Sequence, residues 1–360
     1  MLYPLKFKPL YKDYVWGGRN LALLGKSLPD EGIVAESWEV ACHKNGTSII
    51  ANGEYEGVSL TELIKQLGRP LVGASLSQKD VDKFPLLVKF IDAENNLSVQ
   101  VHPDDTFARK YENGENGKNE MWYIVSAMPG AKLVYDVVPG TTRDKFAAAL
   151  EENYVESCLK TVEVFSGDVI DIPAGVVHAI GKGIILAEVQ QNSDTTYRVY
   201  DYGRVGRELH IEKALQVIDF DSKGRLEKYT GIRLPLGSGC SKRIVIANQF
   251  FCTEVYDIRG SVTEKADGSK FAIYVFTLGS GIISWKNNGQ QCELTVRAGD
   301  SVLIPATLGD YVISGSFSAI KTYLPNIESD VLEPLLSAGM TIEDIITRIG
   351  GIKSFITSNK

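Results

Sequence analysis

Gln100 and His102 flank a single valine, and Lys118 and Glu120 flank a single asparagine. On a β-strand, side chains two residues apart share a face. Gln100 and His102 should therefore point one way together, and so should Lys118 and Glu120. Pro103-Asp104-Asp105 ends the first strand with a turn. A third element, Ile172-Pro-Ala-Gly-Val-Val-His-Ala-Ile180, brings His178 out of a tight corner into a new strand. Two imidazoles, a carboxylate and an amide oxygen form a full ligand set for a borderline divalent cation. Taken singly, each histidine would read as an ordinary core or surface residue. The chain has only four, however, and two of them lie in these settings.

The remaining histidines carry less. His43 stands before a turn, in Ala41-Cys-His-Lys-Asn-Gly46, and reads as structural. His210 opens a helix and reads as a cap or surface residue. Gly279-Ser-Gly281 reads as a turn and lacks the helix that a phosphate loop requires.

The site has to be built from 360 residues, enough for two ordinary domains, of which 44% are hydrophobic. A net charge of −7 and a pI near 5.3 argue against nucleic acid or an anionic membrane as partner. An anionic substrate would need a local basic cluster. No apolar run approaches the roughly 20 residues of a transmembrane helix. The N-terminal Met-Leu-Tyr-Pro-Leu-Lys-Phe-Lys-Pro carries lysines where a signal peptide is apolar. Five cysteines, odd in number and without a CxxC pair, read as reduced thiols of a cytoplasmic protein.

The elements that must hold the site are mostly short strands. Glu36–Cys42 alternates like a half-buried strand, with Gly46–Ile50 as its partner. Leu60–Leu67 has helical spacing, with Ser59 or Thr61 as cap and Gly68 as stop. Phe84–Asp92 is an apolar strand with Lys89 embedded in it, a pattern usual for an edge or snorkelling lysine. A glycine-bearing loop, Asn113–Lys118, leads into the strand Glu120–Val125. Residues 141–160 are helical, with Phe146, Leu150 and Tyr154 recurring at four-residue spacing. The buried strand Ile184–Val189 precedes a polar, aromatic and cationic segment ending at Arg204. Residues 210–218 form a short helix, 219–240 a linker, and 243–325 a run of strands. The segment 326–360 is helical, with Ser329 and Thr341 as caps and Gly350-Gly351 as a stop.

An internal repeat sets the expected fold. Val164-Phe-Ser-Gly-Asp-Val-Ile-Asp-Ile-Pro-Ala174 matches Val296-Arg-Ala-Gly-Asp-Ser-Val-Leu-Ile-Pro-Ala306 at six of eleven positions, with an offset of 132. Tyr123-Ile-Val aligns with Tyr274-Val-Phe at an offset of 151, and a helical insertion at about 141–160 accounts for the difference. Duplicated β units with Gly-Asp corners predict an all-β chain of two jelly-roll (double-stranded β-helix) domains with small helical insertions and a C-terminal helical tail. The expected boundaries are 1–235, 236–326 and 327–360. His178 corresponds to Asp310, so only the first copy can supply the imidazoles.

Leu97-Ser-Val-Gln-Val-His-Pro-Asp-Asp105, Gly117-Lys-Asn-Glu-Met-Trp-Tyr123, Ile172–Ile180 and Thr196-Tyr-Arg-Val-Tyr-Asp-Tyr-Gly-Arg204 resemble the signature stretches of the type I mannose-6-phosphate isomerases. The resemblance runs from about residue 4 to 325 and is closest to the short bacterial members. It implies a zinc-dependent cupin enzyme with one zinc ion per chain, held by Gln100, His102, Glu120 and His178. It also implies that Arg198 is the active-site arginine and that Lys89 and Lys118 line the pocket. The implied reaction interconverts D-mannose 6-phosphate and D-fructose 6-phosphate by proton transfer between C1 and C2 through an enediol or enediolate.

The residues fit that chemistry. A bound zinc stabilises developing negative charge without redox side reactions. Lys118 suits a substrate oxygen or the phosphate, and Arg198 suits charge stabilisation or phosphate binding. Glu188 is a candidate proton carrier. Two other functions remain open on the same scaffold. His102, Glu120 and His178 also spell the two-His, one-carboxylate set of a non-haem iron dioxygenase. A non-catalytic sugar-phosphate-binding cupin is the other. Gln100 as a fourth ligand, together with the cations Lys118, Arg198 and Arg204, favours a phosphorylated substrate. The expected partner is a hexose 6-phosphate, with no nucleic acid and no membrane, and the expected state is a monomer or homodimer.

Overall fold

The computed structural model describes residues 2–221, 225 and 227–358. The chain is mostly β, in three principal antiparallel sheets. A six-stranded sheet runs in the order Val169–Ile172, Glu120–Ala127, Ile184–Gln191, Leu86–Ala93, Glu36–Val40, Leu10–Lys12. A five-stranded sheet runs Leu159–Glu163, Lys132–Val137, His178–Ile180, Val99–Val101, Tyr197–Tyr200. These two sheets face each other across a core that includes Trp122, Ile124 and Leu186 on one side and Leu133, Tyr135 and Ile180 on the other.

The other face of the six-stranded sheet is covered as well. Val88, Phe90, Met121 and Val189 pack against the helix Leu60–Leu67 and against Ile273, Val275 and Leu303 of the third sheet. A sheet covered on both sides has no solvent face to alternate toward. Glu36–Val40 is therefore buried along its whole length and is not half-buried. Its neighbours are Leu10–Lys12 and Leu86–Ala93, whereas Gly46–Thr47 pairs with Cys42–His43. Lys89 accordingly lies in an interior strand and is 3% exposed, neither at an edge nor snorkelling.

The third sheet has nine strands. Its long members, Cys252–Ala266, Ala272–Asn287 and Gly309–Tyr323, curl back on themselves. Tyr274 lies opposite Lys321, yet its hydroxyl is 3.0 Å from that of Tyr311, ten residues earlier on the Lys321 strand. A straight strand would separate those positions by ~33 Å. The bend falls at a row of glycines, with Gly315 opposite both Gly260 and Gly281. A Cβ on Gly315 would sit 2.4 Å from the Ser280 carbonyl oxygen, so no side chain fits there. The N-terminal strand Leu5–Lys8 joins this sheet beside Ser301–Ile304. Ile232–Gly237 forms its opposite edge, so part of the expected linker is strand. Linker positions 222–224 and 226 lie outside the described residues.

The repeat is visible in the pairing, with one correction. Ile170 lies opposite Trp122, and its counterpart Val302 lies opposite Tyr274. Tyr274 is therefore equivalent to Trp122 and not to Tyr123. Because successive strand residues face opposite ways, this single step decides which side chains enter each interior.

The helices are short. Leu60–Leu67 begins with a Ser59 capping box and ends at Gly68. Arg143–Glu151 is capped by Thr142 and buries Phe146 and Ala149. In the C-terminal segment, Thr341 caps Ile342–Arg348, but Ser329 caps nothing. Instead the Asn326 side chain accepts from the Ser329 backbone N–H. Gly350-Gly351 separates two helices, and helical structure resumes at Ile352–Ser358. The segment packs Val331, Leu335, Ile345, Ile349 and Ile352 onto Ile232, Ile244, Ala247 and Cys252 of the nine-stranded sheet. Among the described residues, no helix is long and apolar enough to cross a membrane. All five cysteines are free.

Candidate active site

Three strands of the first two sheets bring the spaced residues together. Val99–Val101 carries Gln100 and passes directly into His102. His178 begins its strand in register with Gln100, after a corner at Gly175 that needs a positive φ of 88°. Glu120 starts the opposing strand. Lys118 lies in the loop just before it, where its backbone N–H donates to the Pro103 carbonyl. The ligand atoms of His102, Glu120 and His178 all lie within 4.8 Å of one another, the only such group of three among the described residues.

The imidazoles are oriented from behind. His102 Nδ1 is 2.9 Å from the Thr195 carbonyl and His178 Nδ1 is 2.9 Å from the Val176 carbonyl. A carbonyl only accepts, so each Nδ1 carries the proton and each Nε2 presents a lone pair. Those Nε2 atoms lie 3.3 and 3.7 Å from the two Glu120 oxygens. Burial holds both imidazoles neutral, with His102 pushed down to about 3 by burial and by the Lys118 charge. Burial works against ionising Glu120, but the Lys118 ammonium beside it outweighs that and holds its carboxyl well below the usual range. Both Glu120 oxygens are buried; Oε2 lacks a hydrogen-bond partner and Oε1 faces only the Lys118 ammonium. Gln100 Nε2 lies 3.3 Å from His178 Nε2, and a half-turn of the amide would present its oxygen instead. Neutral imidazoles with fixed tautomers around a carboxylate short of donors fit a divalent cation.

Above this group is a cavity of about 280 Å³ whose lining includes Gln100 and Lys118. Lys118 Nζ sits 2.6 Å from Glu120 Oε1 and 3.2 Å from His102 Nε2, between the ligand cluster and the cavity. Lys89 and Glu188 are cross-strand neighbours on one wall, with Nζ 3.2 Å from Oε1. Glu36 Oε2 is 3.6 Å from the same Nζ. Burial and the Glu120 charge raise the Glu188 pKa, with Lys89 pulling the other way. Burial disfavours the charge on Lys89, but Glu36 and Glu188 more than restore it. The Trp122 indole N–H donates to Glu188 Oε2 at 2.9 Å, which fixes the carboxylate.

Arg198 is in register with Gln100 and lines the cavity, its Nε donating to Ser98 Oγ at 3.1 Å. Arg204 does not join it: it pairs with Asp201, as Arg207 also does, and its guanidinium is held by the Asn96 carbonyl. Arg207 lines the cavity in its place. Tyr14, Trp16, Glu36 and Asp194 also line it, and neither spacing nor resemblance marks them. Only Glu36 leaves a trace in the sequence, as a carboxylate in a strand next to the one holding a buried lysine. The two other histidines stay outside the cluster. His43 Nδ1 accepts from the Asn45 N–H. His210 occupies the N-cap position without capping its helix, and its Nδ1 accepts from the Arg198 backbone N–H.

Comparison with known proteins agrees with this geometry. Residues 4–131 match the catalytic domain of type I phosphomannose isomerase, and residues 241–324 match the cupin domain of mannose-6-phosphate isomerase. The chain is 37% identical over 326 residues to the mannose-6-phosphate isomerase ManA of Bacillus subtilis, covering 89% of this chain and 99% of that protein. It is 34% identical over 329 residues to the mannose-6-phosphate isomerase of Streptococcus mutans, covering 90% and 99%. The crystal structure of a Bacillus subtilis mannose 6-phosphate isomerase superposes with a TM-score of 0.80 at 31% identity, over 89% of this chain and 99% of that one.

Proposed function

The chain belongs to the type I phosphomannose isomerase family, and on that premise we propose that its cavity interconverts D-mannose 6-phosphate and D-fructose 6-phosphate with a single zinc ion. Gln100, His102, Glu120 and His178 hold the metal. The observation that carries this reading is the pair of Nδ1-anchored imidazoles aimed at a buried carboxylate whose only donor is the Lys118 ammonium on one oxygen. When bound, zinc supplies Lewis acidity that stabilises negative charge on the sugar oxygens without redox chemistry.

The chain's own groups do the rest. Glu188 carries the proton between C2 and C1 of the open-chain sugar through an enediol or enediolate. Its raised pKa places it nearer neutrality than an ordinary carboxylate, where a proton carrier works best. Trp122 and Lys89 hold it in one orientation. Lys118 donates to a sugar oxygen as charge develops there. Arg198 and Arg207, with the Ser98 hydroxyl, form the cationic end of the cavity and seat the phosphate. This concentration of cations in an acidic protein favours a sugar phosphate over the small apolar substrates and dioxygen of an oxygenase.

The same reading divides the chain into two jelly-roll units near residue 235. The five- and six-stranded sheets form the catalytic unit and the nine-stranded sheet forms the other. The strand Leu5–Lys8 crosses from the first to the second, and the segment from 327 packs on the outside.

Isomerisation in deuterium oxide tests the proton carrier. Glu188→Gln should abolish both turnover of mannose 6-phosphate and wash-in of solvent deuterium at the C1 and C2 positions, while metal content is retained. Wash-in at the wild-type rate would reassign the proton transfer to another group.

A further inference from the structure

The second barrel has its own charged cavity, of about 310 Å³, close in size to the catalytic one. Strand register shows which positions correspond. Trp122 lies opposite Glu188, and its counterpart Tyr274 lies opposite Lys321. Glu188 lies opposite Lys89, and Lys321 opposite Glu254. Two residues along, Glu36 pairs with Ile91 and Lys242 with Tyr256. The wall triad Glu36–Lys89–Glu188 of the first barrel therefore recurs as Lys242–Glu254–Lys321, acid–base–acid replaced by base–acid–base. Lys242 Nζ is 2.8 Å from Glu254 Oε1, and the Glu254 side chain is 1% exposed.

The metal ligands do not recur. Lys265 lies opposite Asp310 as Gln100 lies opposite His178, and Ala272 takes the place of Glu120. The overall charge balance does recur. The catalytic cavity is lined by four cations (Lys89, Lys118, Arg198, Arg207) and three carboxylates (Glu36, Glu188, Asp194). The second is lined by four lysines (242, 265, 270, 321) and three carboxylates (Glu254, Asp267, Asp330). In each, one further carboxylate backs a lining lysine, Glu120 behind Lys118 and Glu264 behind Lys321. Lys265 is exposed at the cavity and has no ion-pair partner among the described residues. The hydroxyls of Tyr311 and Tyr323 add neutral partners of the kind that sugar hydroxyls bind.

We propose that the second barrel is a non-catalytic binding site for a small phosphorylated polyol. Lys265 and Lys270 take the phosphate at the mouth, and the Lys242–Glu254–Lys321 wall takes the hydroxyls. Without imidazoles or Glu120 at the equivalent positions, the site binds and releases its ligand unchanged. Asp330 sets its affinity. This residue lies beyond the family match that ends at 324, and both of its carboxylate oxygens hold Lys270, at 2.6 and 2.7 Å. An incoming phosphate competes with Asp330 for that lysine.

The test is calorimetric titration of the metal-loaded full chain with sorbitol 6-phosphate, which has no carbonyl to isomerise. Two sites per chain are expected. Lys265→Ser should weaken one of them about tenfold, the usual scale for one charge-assisted hydrogen bond, and leave isomerase turnover unchanged. Asp330→Ala should tighten that same site, and Arg198→Ala should weaken only the other. The second site would persist even if the chain failed to isomerise mannose 6-phosphate, so the two readings fail separately. A single site per chain overturns the proposal. So does a second site indifferent to both Lys265→Ser and Asp330→Ala, or one that takes unphosphorylated sorbitol equally well.

Discussion

Replacing Lys89 by Met should cost far more stability than loss of a surface ion pair, and the cost should depend on pH in a defined direction. Lys89 Nζ is 3.2 Å from Glu188 Oε1 and 3.6 Å from Glu36 Oε2, with the three side chains 4%, 4% and 10% exposed. Methionine keeps the length and removes the charge, which leaves two carboxylates buried without their cation. Breaking a buried pair from one side costs about 3–5 kcal/mol, against about 0–1 kcal/mol for an exposed pair. Glu188 is already raised by burial and by Glu120, and loss of Lys89 raises it further. A carboxyl with a raised folded pKa binds more protons folded than unfolded, so stability falls as pH rises through the interval between the two values. The deficit of the variant should therefore be smaller near pH 5 and larger near pH 8. Urea unfolding of metal-loaded wild type and variant at both values measures it. The double variant Lys89→Met/Glu188→Gln should recover part of the loss, because one orphaned charge is gone. A deficit below about 1 kcal/mol at pH 8, or one that does not change with pH, would refute the account of this triad.

Arg198→Ala should lower kcat by about 10²–10³ while metal content stays intact, the usual cost of losing one stabilising donor. A rise in KM alone would make it a uniform binding contact. Truncation after Asn326 should lower the unfolding midpoint, because it uncovers Ile232, Ile244, Ala247 and Cys252, while kcat stays near wild type. A folded but inactive truncation product would show that the segment reaches the catalytic cavity.

The chemistry was legible where it is local. The i, i+2 pairs and the Ile-Pro-Ala-Gly corner contain His102, Glu120 and His178, which the structure brings together, although Lys118 lies in the loop before its strand and His102 just past the end of its own. The wall of the cavity was harder to read. Glu36 meets Lys89 only because their strands are neighbours in a sheet buried on both faces, and that second covering comes from the nine-stranded sheet far along the chain. Without it, Glu36–Val40 reads as half-buried and Lys89 as an edge residue. Arg204 and Arg207 are equally cationic in the sequence. Both pair with Asp201, and the difference is the Asn96 carbonyl, which holds the Arg204 guanidinium away. The repeat gave the correct Gly-Asp strands, but its second alignment was off by one. The register irregularities between Ile185 and Leu186 and between Phe276 and Leu278 have no residue signature.

The most direct test of the metal-centred account is metal analysis and mannose 6-phosphate isomerisation measured on the same purified sample, for wild type and His178→Ala. After removal of loosely held ions, the wild type should retain about one zinc ion per chain. His178→Ala should remain folded, hold almost no metal and lose isomerisation in proportion. A full equivalent of zinc surviving the His178 substitution, two tightly held ions per chain, or undiminished turnover in the metal-depleted variant would contradict it.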